Sequence, residues 1–499
     1  MKIYKKFLNL NFFADANEKE FIASNKSEYK INANNRKYIA IQIAQDYFFL
    51  LNMKSVVKNF LKKGFTPIGI IPYNFQVLKK NVSLFEFFNE FKNFVVFKIR
   101  IKKWKKLYQS IGVNKFYTTP NILYYKSEKN KSTQKKTNVL KIKIKNLNIG
   151  DLIYDTYLRF RAQKTIDISD AYFEKLLFIS KAIIESLSNI SLEKKISYYF
   201  TTFSSYIHHG IPCRFFLEKK INVFSYGRKH SYAKKLSIKD PLHNDNFLNL
   251  KKNFEKLKNK KTKIKQAKKE IIKKFYGKNE ISGHYLNENN AYKKKLKFIN
   301  KSGINGVLFL HDFFDAPHDR GFKHIFADHY LWADFTINCI NKYNLKIAVK
   351  SHPNQIDENI KIIKILKNKY PAVEWIDNDI NNLDLIKKIN FGVSINGSIL
   401  YELAFFNKIG ISASINPTSS FKIFKDPKNV KEYKYFLINP EKARIMKFSQ
   451  IEACKVYYSN FMNNNYEDLG TDIGKHNLIY MNKNSSRDLM LYNKKIHNV

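Results

Sequence analysis

The sequence "KIAVKSHPN" (residues 346–354) decides the fold, because it joins a short apolar segment to a constrained polar loop. The apolar and β-branched residues at 345–349 predict a buried strand, and His352 follows where that strand ends. Pro353 has no N–H and disfavours helical geometry at His352, so the backbone aims the imidazole in a fixed direction. We therefore interpret His352 as a ligand-binding residue, with an ordinary surface histidine as the alternative.

Strands and helices alternate regularly around this segment. The predicted strands lie at 307–311, 346–350, 373–377, 391–395 and 410–414, and the predicted helices at 324–343, 357–369, 382–388 and 398–407. This alternation is typical of a parallel sheet with helices on both faces. A second β-α-β pattern spans 195–227. The fold class is therefore α/β, and we expect two Rossmann-like domains.

Three segments with polar residues follow predicted strands of the second domain. Because ligands bind at the carboxyl ends of strands in such sheets, the three should converge on one site. The first is "KSHPN", where Lys350, Ser351, His352 and Pro353 are candidates for binding an anion.

The second segment is the loop "HDFFDAPHDRG" (311–321), in which titratable residues are dense. Its candidates are His311, Asp312, Asp315 and His318. Asp315 follows Phe313 and Phe314, whose rings could partly desolvate the carboxylate and tune its basicity, so we expect Asp315 to be catalytic. Asp312 and His318 are further catalytic candidates. An exposed polar loop and a His/Asp metal site are the alternatives.

The third segment, "SINGSILYEL" (394–403), joins a strand directly to a helix. Gly397 permits close backbone approach, and Ser398 can cap the helix while presenting a hydroxyl. With Asn396 they are candidates for binding phosphate at the helix N-terminus, and an ordinary serine cap is the alternative. His311 and Glu402 are also expected to belong to the donor site.

The order of these segments resembles the C-terminal half of bacterial capsule-polysaccharide glycosyltransferases, most closely the Kdo-transferase-like proteins. The His-Pro pair is also similar to the motif of bacterial sialyltransferases, whose histidine contacts the phosphate of a CMP-sugar, and to a pair in enzymes that polymerise CDP-glycerol. The resemblance covers residues 305–415, with a weaker likeness in "GDLIYDTYLRF" (150–160) and "SSYIHHGIPCR" (204–214).

The resemblance implies a GT-B-like architecture, in which two Rossmann-like domains face each other across a cleft. We expect an acceptor-side domain at 1–245, a lysine-rich helical connector at 246–303, a nucleotide-sugar-binding domain at 304–440 and a tail at 441–499 that packs back across the cleft. The acceptor candidates in the first domain are Tyr206, His208, His209 and Arg214. No metal or other cofactor is expected.

The expected function is transfer of a sugar from a nucleotide-activated donor, preferably a CMP-linked Kdo or nonulosonate, to a cell-surface polysaccharide or lipid-linked glycan. A CDP-glycerol-type polymer phosphotransferase is the enzymatic alternative, with a histidine as base. The non-enzymatic alternative is a protein that binds anionic glycans or nucleic acid without catalysis. Titrating CMP, CDP, UDP and GDP would separate these hypotheses.

The composition sets the remaining expectations. There are 89 Lys and Arg against 42 Asp and Glu, a net charge of +47, which would favour nucleic acid, anionic membranes or phosphorylated substrates. Much of the excess is lysine in a chain also rich in Asn, Ile, Tyr and Phe, and no nucleic-acid-binding signature accompanies it, so nucleic acid is not an expected partner. An anionic membrane surface remains a possible partner of the basic patches.

The cysteines and the hydropathy favour a cytoplasmic protein, peripheral at most at the inner face of the inner membrane. Cys213, Cys339 and Cys454 are widely separated, as expected for free thiols. The N-terminus lacks a continuous apolar segment, and no stretch reaches the ~18 apolar residues that a membrane-spanning helix needs.

Overall fold

The computed structural model describes residues 13–25, 37–72, 84–119, 138–226, 233–244, 246–278, 290–319, 324–353 and 357–462, with 485–487, 489, 490 and 493 near the end. The chain divides into two compact units. Unit 1 comprises Met1–Arg161, Ile166–His243 and Asn464–Val499, and unit 2 comprises Ala162–Thr165 and Asn244–Asn463.

Unit 1 contains a six-stranded sheet with the order β3-β2-β1-β6-β7-β8. All neighbouring pairs are parallel except β7 and β8. The strands are β1 (Lys37–Gln42), β2 (Phe65–Pro72), β3 (Lys115–Thr119), β6 (Ile196–Thr201), β7 (Asn222–Tyr226) and β8 (Ala233–Lys235), while β4 (Lys143–Ile144) and β5 (Leu147–Asn148) form a separate antiparallel pair. β-Branched and aromatic residues dominate the central strands, as a buried parallel sheet favours.

The helices of unit 1 are α1 (Ala16–Asn25), α2 (Tyr47–Lys62), α3 (Leu84–Ser110), α4 (Gly150–Arg161), α5 (Ala171–Glu193) and α6 (Tyr206–Glu218). Asp46 and Asp170 cap α2 and α5 by accepting backbone N–H bonds, which supplies partners for donors that a helix start leaves unpaired. Near the C-terminus, Leu489 and Met490 are buried in the same apolar cluster as α2 and α3.

Unit 2 contains a five-stranded, wholly parallel sheet with the order β11-β10-β9-β12-β13. The strands are β9 (Gly306–Phe309), β10 (Ile347–Lys350), β11 (Trp375–Ile376), β12 (Phe391–Ser394) and β13 (Ile409–Ser412). Successive residues of β9 belong to different apolar clusters, Val307 to one and Leu308 to the other. Because side chains alternate along a strand, this sheet is covered on both faces.

The helices of unit 2 are α7 (Leu250–Glu255), α8 (Lys260–Phe275), α9 (His329–Lys342), α10 (Asp357–Lys369), α11 (Asn382–Lys388), α12 (Ile399–Phe405), α13 (Val430–Ile438) and α14 (Gln450–Tyr457), with a π-helical turn at Tyr458–Met462. Short 3-10 turns lie at Val139–Lys141 in unit 1 and at Phe247–Asn249, Ser419–Phe421 and Pro440–Ala443 in unit 2.

Both sheets reverse their direction of growth at their centre. In unit 1 the first three strands extend to one side and β6 to β8 to the other, so the reversal lies between β1 and β6. In unit 2 the reversal lies between β9 and β12. The crevice beyond the carboxyl ends of strands at such a reversal is where open α/β sheets bind ligands, so each unit has one such edge.

The expected α/β fold with two Rossmann-like domains is confirmed. Residues 246–303, expected to connect the domains, belong to unit 2, where Phe254, Ile271 and Phe275 are part of its apolar core. Of the expected tail, residues 441–463 also belong to unit 2, and residues from 464 belong to unit 1. Within the described residues, no helix is long and apolar enough to cross a membrane.

Candidate functional site

The loop after β9 is fixed in shape by a carboxylate and an amide. Asp312 Oδ1 accepts hydrogen bonds from Phe314 N at 2.8 Å and from Asn359 Nδ2 at 2.9 Å. Asn359, which is buried on α10, accepts in turn from Phe313 N at 3.1 Å. This network positions the residues on either side of Asp312. The sequence analysis did not select Asn359, although Asn359 belongs to the network.

Histidines gather at the carboxyl ends of β9 and β10. The ring centroids of His311 and His329 are 4.5 Å apart, and those of His311 and His352 are 5.8 Å apart. The ring centroid of His324 lies 6.2 Å from that of His329 and 6.0 Å from that of His318. The structure thus brings together the three predicted histidines of this edge with two that the sequence analysis did not select.

The hydrogen bonds of the cluster define which ring nitrogens carry protons. His329 Nδ1 lies 2.8 Å from the carbonyl oxygen of Asp312, and His311 Nδ1 lies 3.3 Å from the same oxygen. Because a carbonyl oxygen can only accept, Nδ1 is the protonated nitrogen in both rings. His324 likewise donates from Nε2 to the carbonyl of Pro317.

Burial keeps two histidines of this cluster, His311 and His324, uncharged near neutral pH. Burial, and next the neighbouring His329, lower the pKa of His311 to about 4, against the opposing effects of Asp315 and Asp312. Burial also holds the pKa of His324 well below its usual value. An anion bound here would raise these pKa values, because opposite charge favours the protonated ring.

Asp315 lies at the surface of this loop. Its side chain is exposed, and Oδ1 accepts the N–H of Ala316 at 3.1 Å. Phe313 and Phe314 are each only 1% exposed and pack into the apolar core of unit 2. Their rings therefore do not desolvate the Asp315 carboxylate as the sequence suggested, although that carboxylate is close enough to raise the pKa of His311.

Lys350 is buried at the end of β10. Its ammonium donates to the carbonyl oxygens of Ile380 at 2.6 Å and Asp377 at 3.3 Å. Burial lowers its pKa to about 8, with Asp377 acting in the opposite direction. Lys350 thus binds the loop after β11, while Ser351, His352 and Pro353 are half-buried beyond the strand end.

The turn between β12 and α12 is linked to α8 by a buried ion pair. The N–H of Gly397 donates to Ser394 Oγ at 3.2 Å, and the exposed Ser398 donates to Glu402 Oε1 at 3.1 Å. Glu402 is 3% exposed and binds the Lys274 ammonium at 2.5 Å. Tyr292 donates to its other oxygen, so both carboxylate oxygens of Glu402 are engaged within the protein. Asn396 lies half-buried beside this turn.

The acceptor candidates of unit 1 have different surroundings. Arg214 makes two hydrogen bonds to Asp151, at 2.6 and 2.5 Å, and one to the carbonyl of Asn148 at 2.6 Å, which fastens α6 to the start of α4. Tyr206 opens α6 with a φ of 61°, and its ring stacks on His208 at 5.9 Å. A left-handed tyrosine is strained and persists only where its surroundings hold it.

Polar residues collect at the reversal point of unit 1. Gln42, at the end of β1, is fully buried and accepts hydrogen bonds from Thr201 and Thr202 at the end of β6. Its amide nitrogen contacts His209 Nδ1. The sequence analysis selected His209 but missed Gln42, because the pairing of β1 with β6 was not foreseen.

Among the described residues, no group of three or more His, Cys, Asp or Glu is arranged to hold a metal ion. Cys213, Cys339 and Cys454 are free and buried, as the sequence suggested.

No protein-family model matches the sequence, and no curated protein matches it. Among solved structures, KpsC of Thermosulfurimonas dismutans, a β Kdo 2,4 transferase, is similar over 53% of this chain and 80% of its own, with 12% identity and a TM-score of 0.29. UDP-GlcNAc 2-epimerase of Neisseria meningitidis, bound to UDP-GlcNAc, aligns over 85% and 99% of the two chains with 11% identity and a TM-score of 0.22. MnaA of S. aureus with UDP aligns over 87% and 99%, with 10% identity and a TM-score of 0.27. At these values the likeness assigns no family and no activity.

Proposed function

We propose that the chain is a glycosyltransferase of the GT-B type. It takes a sugar from a nucleotide-activated donor, preferably a CMP-linked Kdo or nonulosonate, and transfers it to a cell-surface polysaccharide or lipid-linked glycan. The observation that carries the proposal is the set of histidines His311, His329 and His352 at the carboxyl edge of unit 2, beside the reversal between β9 and β12. Such an edge suits a nucleotide, and the sequence resemblance supports the same assignment.

In the proposed reaction the phosphate of the donor lies at His311 and His352. A developing negative charge on the leaving phosphate is stabilised by ring N–H groups of these histidines, and His311 provides one when its Nε2 takes up a proton. Asn396, Gly397 and Ser398 would border the nucleotide at the end of β12, with Lys350, Ser351 and Pro353 shaping the end of β10 and Glu402 supporting the turn. Asp315 is the proposed catalytic carboxylate, with Asp312 and His318 as the other candidates. The chemistry needs no metal when donors of this kind neutralise the leaving group.

The nature of the nucleotide tests the proposal. Thermal stabilisation of the full-length chain by CMP, CDP, UDP and GDP should be strongest with CMP. A preference for UDP or GDP would indicate a hexosyl donor. No stabilisation by any of the four would contradict the glycosyltransferase assignment and favour a glycan-binding protein.

A phosphotransferase that uses CDP-glycerol is the second candidate. The observation that favours it is the neutral state of His311, whose pKa of about 4 leaves the imidazole able to accept a proton at neutral pH. In that case CDP should stabilise the chain more than CMP does, and incubation with CDP-glycerol should release CMP.

Replacing His352 by alanine is expected to reduce turnover with an intact fold. Losing one charge-assisted hydrogen bond to the leaving phosphate should cost about 2 to 4 kcal/mol of transition-state stabilisation. Release of free nucleotide from the preferred donor measures the effect, and the melting temperature without ligand is the control. Wild-type turnover in His352→Ala would move the donor site away from β10.

Nucleotide binding is expected to take up a proton through His311. Its pKa is lowered in the free protein and should rise beside a phosphate, so binding should strengthen as the pH falls toward about 4. Calorimetric titration near about pH 6, in two buffers that differ in ionisation enthalpy, measures the protons taken up. His311→Asn can still donate to the carbonyl of Asp312 but cannot titrate, so its proton uptake should be smaller. Equal uptake in both proteins would remove His311 from the site.

The basic face of α8 is the proposed contact with an anionic membrane. α8 has eight lysines and one glutamate in 16 residues, a density far above the 89 Lys and Arg of the 499-residue chain, so composition alone does not account for it. Ile271 and Phe275 are buried, while Ile272 and Tyr276 are 40% and 67% exposed beside the lysines. Exposed apolar groups next to basic ones are typical of helices that lie on membranes.

Reversing three exposed charges of α8 should therefore weaken vesicle binding. At about 1 kcal/mol per lysine, the combined substitution of Lys265, Lys268 and Lys269 by glutamate should lower binding to phosphatidylglycerol vesicles by about 10²-fold or more. Flotation with pure phosphatidylcholine vesicles gives the baseline. The matched control reverses three other exposed lysines of unit 2, Lys342, Lys346 and Lys364. Equal losses in both variants would show a general charge effect and no specific face.

A further inference from the structure

An exposed aromatic ring lies between two histidines at the reversal point of unit 1. Phe203 directly follows the end of β6 and is 38% exposed. Its ring centroid is 5.9 Å from that of His209 and 5.1 Å from that of His243. Neither Phe203 nor His243 belongs to the donor edge of unit 2, and the sequence analysis selected neither.

Gln42 fixes the protonation of His209. The backbone N–H of Thr202 can only donate, and it lies 3.2 Å from Gln42 Oε1, so the other end of the amide is the NH₂ group. That group faces His209 Nδ1 and must donate to it. A neutral His209 therefore carries its proton on Nε2. Burial lowers its pKa to about 3, so the ring stays neutral at physiological pH.

Ser204 fixes His243 in the same way. The backbone N–H of Ser204 lies 3.3 Å from His243 Nδ1, and a backbone N–H can only donate. The backbone N–H of His243 donates in return to Ser204 Oγ at 2.7 Å, and this pair of hydrogen bonds holds the two residues together. When neutral, His243 therefore also carries its proton on Nε2. Both histidines beside Phe203 are thus set as hydrogen-bond donors through Nε2.

The His209 ring is half-buried, and its Nδ1 faces the fully buried Gln42. The Nε2–H groups of His209 and His243, beside an exposed apolar ring, fit a ligand with oxygen acceptors and an apolar face. A phosphate would instead favour cationic side chains. A pyranose matches, because its C–H face can cover an aromatic ring while its hydroxyl and ring oxygens accept hydrogen bonds.

We propose that Phe203, His209 and His243 form a sugar-binding subsite in unit 1, with Gln42 and Ser204 as positioning residues. Phe203 packs against one face of a pyranose, and each histidine donates from Nε2 to one of its oxygens. That this subsite binds the acceptor sugar of the transferase rests on the proposed function. The binding of a sugar does not.

Saturation-transfer NMR on the full-length chain without nucleotide tests the subsite. The probes are free glucose, galactose, N-acetylglucosamine and Kdo, and at least one should receive saturation from the aromatic protons of the protein. Phe203→Leu should weaken binding about 2- to 10-fold by removing the ring. His209→Phe keeps an aromatic ring but removes the N–H donor, with a similar expected loss of about 2- to 10-fold. Phe448→Leu, at a 79% exposed position of unit 2, is the matched control and should bind as the wild type does.

The protonation of His209 supplies a readout that a merely structural role of Gln42 would not change. Long-range ¹⁵N–¹H spectra of histidine-labelled protein should show His209 protonated on Nε2, with its signals assigned by their loss in His209→Phe. Gln42→Glu can still accept from Thr202 but can no longer donate to Nδ1, so a proton should appear on Nδ1.

Three results would each overturn the subsite. The first is that none of the four sugars receives saturation, and the second is that Phe203→Leu shows the same transfer as the wild type. The third is that His209 of the wild-type protein is protonated on Nδ1 alone. Should His209→Phe not fold, Phe203→Leu decides, because its position is partly exposed. Failure of the proposed function looks different, since sugar binding would remain while no nucleotide stabilised the chain.

Discussion

Asp315→Asn is expected to bind nucleotide normally and to turn over about 10² to 10⁴ times more slowly, the range for loss of a positioned general base. The substitution preserves size and the hydrogen bond from Ala316 while removing basicity. In an inverting transfer the carboxylate would deprotonate the acceptor hydroxyl, and in a retaining transfer it would attack the sugar. Release of nucleotide from the preferred donor, with a lipid-linked glycan extract as acceptor, measures the loss.

A second aspartate of the same loop provides the control. Asp319 Oδ2 accepts from the side chain of Asn244 at 3.2 Å, and Asp319→Asn makes the same chemical change a few residues away. It should leave turnover near the wild-type value. Asp312→Asn is less informative, because Asp312 holds the loop through Phe314 and Asn359. Undiminished turnover in Asp315→Asn would move the chemistry to Asp312 or away from this loop.

The exposure of Asp315 has a consequence for its basicity. Since Phe313 and Phe314 pack into the core, their rings do not surround the Asp315 carboxylate in the free protein. A base of this kind would be tuned by the bound substrates, which displace water from the site. We therefore expect the pH dependence of turnover under saturating substrate to differ from that of kcat/KM.

The sequence was sufficient for the sheet of unit 2 because its signals are local. The helix predicted at 357–369 is α10 (Asp357–Lys369), and the helix predicted at 382–388 is α11 (Asn382–Lys388). Short apolar strands alternate there with amphipathic helices, so the period of the pattern changes at each boundary. The same pattern correctly indicated that the loops after β9 and β10 share an edge, and His311 and His352 do lie near each other.

The residues that the sequence analysis missed depend on contacts across long separations. His329 reaches the cluster because the start of α9 packs against the loop of Asp312, 17 residues earlier. Gln42 meets Thr201 across 159 residues, because β1 pairs with β6. A glutamine at the end of an apolar strand gives no sign of its partner. Strand order determines such pairs, and periodicity does not encode strand order.

Unit 2 contains a second feature of this long-range kind, the buried pair of Lys274 and Glu402. The stretch that holds Lys274 is so rich in lysine that the sequence predicts a helical connector there, and most lysines of α8 are exposed. Lys274 is 7% exposed and donates to Tyr401 at 2.6 Å as well as to Glu402. One lysine of α8 thus ties the helix to α12, next to the proposed nucleotide turn.

Lys274→Met is expected to lower the free energy of unfolding by about 3 to 5 kcal/mol, because it leaves the Glu402 carboxylate buried without its cation. Equilibrium denaturation measures the loss, and the melting temperature of unit 2 should fall by about 10 °C or more. The informative comparison is the double variant Lys274→Met, Glu402→Gln. A neutral glutamine can still accept from Tyr292 and Ser398, so the double variant should be more stable than Lys274→Met alone. Lys273→Met, at the neighbouring exposed position, is the matched control and should change stability little. Equal stabilities of Lys274→Met and Lys273→Met would show that the buried ion pair does not hold α8 to α12.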